Sequence, residues 1–218
     1  MKKRFLSILT ALLLVLSLLP SSALAAGASA PPTASGTSFF ANGTPIDITA
    51  ERPAEGALED FGTGFTATGA DAYISWQEDG TTKYVGVKKD VTVWGGSDGS
   101  SSAVTVPSAS ITMTGGTVKK ILGGNLGQAA KTAETCSTVT GNVDISIFGG
   151  TVTNLIYGGG ENNTCVKGIV TITLDEVTLG SSCYVNGGVL GHGTEGTRNI
   201  EEGTMTTYAE VKQVVIKA

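Results

Sequence analysis

At 218 residues the chain has room for one or two domains, and 14 Lys plus Arg against 19 Asp plus Glu give a net charge of -5. An acidic chain with only 15% charged residues argues against a nucleic-acid partner. Its 31 glycines, with abundant Thr and Ser, suit a surface of hydroxyls and backbone with acids at the turns.

Lys2, Lys3 and Arg4, the apolar run Phe5 to Leu19 and the small-residue site Ala23-Leu24-Ala25 are the three parts of a secretory signal peptide, cut after Ala25. Pro20 and Ser21-Ser22 stop the run short of the ~20 residues a membrane span needs. The expected destination is therefore secreted and extracellular, associated with the cell surface. No second run of spanning length follows. Removing the leader leaves 11 basic residues (14 minus 3) against 19 acidic, a mature charge of about -8.

Residues 26–38, AGASAPPTASGTS, offer nothing to bury and read as a disordered linker. Phe39 to Asp47 reads as a strand, an Asn42-Gly43 type I′ turn and a second strand. Glu51 to Gly64 has loop chemistry, with at most one helical turn at Ala57 to Asp60. Ala72 to Gln77 and Thr81 to Val87 alternate apolar and polar residues around Glu78-Asp79-Gly80, a clearer hairpin. Residues 39–90 are thus expected to form a β-hairpin cap module, and residues 91–218 a repeat region that opens with Val91-Thr-Val-Trp-Gly-Gly96.

The repeat is visible by subtraction. Ile145 follows Ile111, and Val152 follows Val118, by 34 residues; Ile172 follows Ile145, and Leu179 follows Val152, by 27. A fourth copy would place Val211, Val214 and Val215 at 59 residues beyond Val152, Leu155 and Ile156. Repeats of this length, built from short alternating strands and glycine corners, predict an all-β fold: a parallel β-helix (β-solenoid) of about four rungs. A β-propeller blade or paired sheets would suit the same period, but the unequal spacings favour a solenoid with loops of variable length. Gly115-Gly116, Gly123-Gly124, Gly149-Gly150 and Gly158 to Gly160 are read as corners, not as a phosphate-cradling loop, because no helix follows them. Gly95-Gly96-Ser97-Asp98-Gly99 has its carboxylate in the wrong place for a calcium nonapeptide. The final residues Val214 to Ala218 read as a strand left open at the end of the chain, a place for self-association or the mark of a truncated protein.

Reactive groups are scarce. The mature chain has two arginines, Arg52 and Arg198, and one histidine, His192, in a glycine-flanked loop. Asp144 and Asp175 make a carboxylate pair conceivable, but no catalytic residue, metal or cofactor is expected, since neither a nucleophile elbow nor a Cys/His ligand spacing occurs. Cys136 and Cys165 approach the same corner of successive repeats. Either they form a disulfide and leave Cys183 free, or all three are unpaired small residues. Trp76 and Phe148 are read as packing the cap and core. Trp94 and Tyr157, beside glycine corners, divide evenly between packing and sugar contact. Asn125 and the loop Glu161-Asn162-Asn163-Thr164 are polar edge positions where a ligand could be held.

The leader, the hairpin cap and the pattern GGTV-x-x-I-YGGG, seen at Gly149 to Gly160 and in part at Gly115 to Gly124, resemble the glycine-rich repeat surface proteins of Gram-positive bacteria. That resemblance covers roughly residues 90–218. It implies a right-handed, pectate-lyase-like parallel β-helix of the adhesin type. The expected function is that of a non-catalytic secreted or cell-surface adhesin or scaffold with glycans or surface proteins as partners. The competing reading is a polysaccharide lyase or glycoside hydrolase on the same fold.

Overall fold

The structure, a computed structural model, describes residues 29–62, 64–66, 68–129, 136–188, 198–199, 204–205 and 210–217. The expected signal peptide, His192 and the loop after Gly191 lie outside the described residues. Every described element is a strand, and the strands form mixed sheets.

The chain opens with β1 (Thr33–Ser35) and β2 (Ser38–Phe40), antiparallel across Gly36, then turns at Asn42-Gly43 into β3 (Ile46–Thr49). Part of the stretch read as linker is therefore ordered. Asn42 and Gly43 have the positive φ expected of them (54° and 81°), but they form a corner and not a hairpin. They send β2 and β3 into different sheets. A two-residue β4 (Ala57–Leu58) stands where a helical turn was expected. After it, β5 (Ala72–Glu78) and β6 (Thr81–Val87) pair antiparallel over seven residues each, with Asp79 and Gly80 at φ 49° and 75°. Positive φ at both turn residues gives the twist that two right-twisted strands need.

From β7 (Thr92–Trp94) onward the chain alternates between sheets: β8 (Thr105–Val106), β9 (Ala109–Met113), β10 (Thr117–Leu122), β11 (Ser137–Val139), β12 (Val143–Ile147), β13 (Thr151–Tyr157), β14 (Thr164–Leu174), β15 (Thr178–Leu179) and β16 (Tyr184–Asn186). Two further strands, β17 (Arg198–Asn199) and β18 (Thr204–Met205), pair with each other, and β19 (Glu210–Lys217) lies beside β14. The first sheet runs β1-β2-β7-β10-β13-β15, with β16 also on β13; apart from β1 its pairings are parallel. In the second, β3, β9, β12 and the latter part of β14 lie side by side in parallel, β11 pairs with the beginning of β14, and β8 pairs with β11. The β5–β6 hairpin extends that sheet through β3. Parallel pairing therefore begins at β2 and β3, before residue 91.

Register explains the core. Ile111, Ile145 and Ile172 lie opposite one another, as do Val118 and Val152, and Val93, Ile121 and Ile156. All eight are fully buried in one cluster. The 34- and 27-residue spacings thus correspond to strand pairings. In a stack of period-2 strands, a slip of one residue would turn each row outward. The final strand departs from the expected copy: Val214 and Ile216 lie opposite Val170 and Ile172, so β19 adds to the second sheet, not to the row of Val152.

Two kinds of glycine make the corners. Gly150 has φ 88°, which a side chain rarely adopts. Gly158 is needed for space instead: a Cβ there would run into the Val170 side chain and come within 2.9 Å of the Gly187 carbonyl.

Candidate functional site

The outward side of the first sheet carries two rows. One passes through Thr92, Lys120, Leu155 and Tyr184; the other through Phe40, Trp94, Leu122, Tyr157 and Asn186. Their intervening neighbours Val93, Ile121 and Ile156 face the core. In the early strands the second row is covered. Phe40, Trp94, Leu122 and Leu155 form a separate buried cluster, with Leu126 and Tyr157 packed against it, and Phe40 stacks on Trp94 at 5.7 Å and 19°. Burial falls away toward the later strands. Tyr157 is half-buried, Asn186 is exposed, and Tyr184 is 70% exposed. The β10–β13 register shifts at Val118/Lys120, and Lys119, Thr153 and Asn154 are exposed there.

Placement divides the expected site residues. Trp94 is 3% exposed and Asn125 is fully buried. Asn125 is a corner fastener: its Oδ1 accepts from the Ser97 amide at 2.8 Å, and its carbonyl accepts from the Glu161 amide at 3.0 Å. Asn163 is buried too, and its carbonyl accepts from the Ser137 amide at 3.0 Å. All three are buried, so their side chains offer little surface to a ligand in this structure. Tyr157, Glu161 and Asn162 keep part of their surface. Glu161 carries an isolated parallel bridge to Leu126, and Asn162, at φ 66°, donates from Nδ2 to the Gly127 carbonyl at 3.4 Å. Phe148, expected in the core, is 46% exposed, whereas Trp76 is buried against Phe39 and Phe61. Tyr184, one of the aromatic residues that the sequence places on strands or at their corners as candidates for sugar contact, is the accessible ring; the amides Asn154 and Asn186 are not singled out by the sequence, and their signal is a place on the last strands of the first sheet.

Cys136 and Cys165 form a disulfide, with Cα atoms 6.5 Å apart and a sequence separation of 29. It fastens the approach to β11 to the start of β14. Cys183 is a free thiol, and burial pushes its pKa up.

Two pockets adjoin strand β5. The larger, of about 310 Å³, lies between Pro31-Pro32 and Trp76, Glu78 and Asp79; the smaller, of about 220 Å³, lies over Pro45, Asp47 and Ser75. Thr44, Trp76 and Gln77 border both. Asn42 Nδ2 donates to the Pro31 carbonyl (2.6 Å) and Thr44 Oγ1 to the Ala30 carbonyl (2.9 Å), holding the incoming chain as one wall. Among the described residues no group of three His, Cys, Asp or Glu side chains is placed to hold a metal ion, and no helix is long and apolar enough to cross a membrane.

No family model matches this chain, and neither the curated proteins nor the solved structures contain a match.

Proposed function

We propose that this chain is a non-catalytic, secreted or cell-surface β-solenoid, an adhesin or scaffold that binds glycans on the outward side of its first sheet. The alternating path between sheets, with in-register apolar rows, supports the solenoid reading. One observation carries the binding reading: the ladder buried at Phe40 and Trp94 emerges at Tyr157 and Tyr184, where exposed amides flank the rings. Sugar rings present C–H faces to an aromatic plane and hydroxyls to neighbouring amides, so a ring and two amides on one rigid strand pair form a suitable platform. Glu161 and Asn162 lie past the same corner as Tyr157 and extend the platform's polar edge.

A glycan array with the purified chain tests this. Binding to a defined set of glycans that Tyr184→Ala abolishes supports adhesion. An array without any hit leaves the scaffold function, with association through the final strand, and refutes glycan binding.

The lyase or hydrolase reading has one supporting observation, the carboxylates Glu78 and Asp79 in a cleft. Release of reducing or unsaturated sugar ends, lost in Glu78→Gln, would establish it in place of adhesion.

A further inference from the structure

Asparagine followed by glycine occurs twice in the chain, at Asn42-Gly43 and Asn186-Gly187. The dipeptide is reactive because a glycine, having no side chain, lets its own amide nitrogen approach the carboxamide carbon, Cγ, of the residue before it. The fold treats the two copies differently. Asn42 is 8% exposed and both of its reacting groups are tied: Nδ2 donates to the Pro31 carbonyl (2.6 Å) and to Thr33 Oγ1 (3.2 Å), and the Gly43 N–H donates to the Gly95 carbonyl (2.9 Å). Asn186 is exposed at the end of β16. Its Oδ1 accepts from the Gly188 N–H at 2.7 Å, which turns the carboxamide back along the main chain past Gly187 and polarises the Cγ carbonyl. Gly187 is buried, but nucleophile and electrophile are adjacent residues and need no path for a substrate. Among the described residues neither Asn186 Nδ2 nor the Gly187 N–H has a hydrogen-bond partner, and β16 is held by β13 alone.

We propose that Asn186 is a self-modification site, at which the folded chain deamidates while sparing Asn42. The Gly187 nitrogen gives its proton to solvent base and attacks Asn186 Cγ, so that a C–N bond forms and closes a succinimide ring. The Cγ–Nδ2 bond breaks, and the nitrogen takes up a proton and leaves as ammonia. Water then adds to one of the two ring carbonyls and opens the ring, giving aspartate by one route and isoaspartate by the other. The net change is the amide plus water to the acid plus ammonia, with no oxidation or reduction. Its product places a carboxylate at the accessible end of the row through Phe40, Trp94, Leu122 and Tyr157. In the isoaspartate form it also adds a methylene to the main chain at the end of β16. The modification needs only the chain and water, so it stands whether or not that row binds glycans.

Peptide mapping tests this. The purified chain is held in warm, mildly alkaline buffer, folded in one sample and denatured in another, for the time the denatured sample needs to convert both Asn-Gly pairs. Each is then digested quickly with trypsin at mildly acidic pH. The tryptic peptide 168–198 contains Asn186 as its only asparagine and has no glutamine, so a mass gain from amide to acid in it reports that residue alone. In the denatured sample the two pairs should convert at similar rates. In the folded sample Asn186 should convert at least about tenfold faster than Asn42, the protection that local structure gives a tied group. An isoaspartyl methyltransferase should label the same peptide, and the rate should fall as the buffer is made acidic, because the attacking nitrogen must lose its proton. Asn186→Gln, whose longer side chain closes the ring poorly, should abolish the label at unchanged circular dichroism. Conversion of Asn42 as fast as Asn186 in the folded chain would overturn the proposal. So would an Asn186 peptide that stays unmodified in the folded sample, or a methyltransferase label that survives Asn186→Gln undiminished.

Discussion

Ile145 sits at the centre of the row Ile111–Ile145–Ile172 with its side chain fully buried. Ile145→Ala leaves a cavity between two neighbours that cannot both close on it. It should cost about 2–5 kcal/mol, while Ser146→Ala, one position along and half-exposed, should change stability by less than about 0.5 kcal/mol. Chemical denaturation of the two variants checks the alternation. Gly158→Ala should destabilise through the clash with Val170, by about 1–3 kcal/mol. At Trp94 the indole N–H has no partner among the described residues, so Trp94→Phe loses no hydrogen bond to them and keeps the stack on Phe40. The expected change is within about 1 kcal/mol. Lys83 gives a signed pH effect. Its hydrogen bond to Glu59 raises its pKa, so the stabilisation is complete below the ordinary lysine value and is lost as pH rises through the higher folded value. The melting-temperature difference between the chain and Lys83→Met should shrink accordingly at strongly alkaline pH.

At the scale of elements, two sequence signals of one type had different outcomes. Asn42-Gly43 and Asp79-Gly80 both take the positive φ that their residues favour. Only the second closes a hairpin, because local turn chemistry fixes the backbone angle and not the sheet that the next strand joins. Phe39 and Ile46 pack into the same core from different sheets, a choice made by tertiary burial. Strand β14 shows the same principle differently. Its 11 residues pair with β11 at the start and β12 at the end, so an uninterrupted strand replaces a corner where earlier passes turn at Pro107 and Gly141. The disulfide fastens this element. In the chain-entropy account a closed loop of 29 residues contributes about 3–4 kcal/mol, so reduction, or Cys136→Ser, should lower the melting temperature by an amount that thermal melts with and without reductant resolve.

For the whole molecule, the rows were legible because the same apolar alternation returns at 27 and 34 residues and a pleated strand leaves it only one buried side. The start of the parallel stack was not. Ser38 to Phe40 is too short and too different from the glycine-flanked copies to be matched by subtraction, yet it lies beside Thr92 to Trp94. Burial at the candidate site was half legible. Trp94 and Tyr157 occupy equivalent outward positions; what separates them is the cover from Phe40, Leu122 and Leu126, which only register brings together. Tyr184 is exposed because, among the described residues, β16 is paired with β13 alone. The proposed glycan binding on that outward side is tested by titrating the strongest array ligand into the chain and into Tyr184→Ala. Loss of one stacking contact, about 1–2 kcal/mol, predicts an affinity lower by roughly tenfold at an unchanged melting temperature. An equal affinity in the two proteins would contradict it.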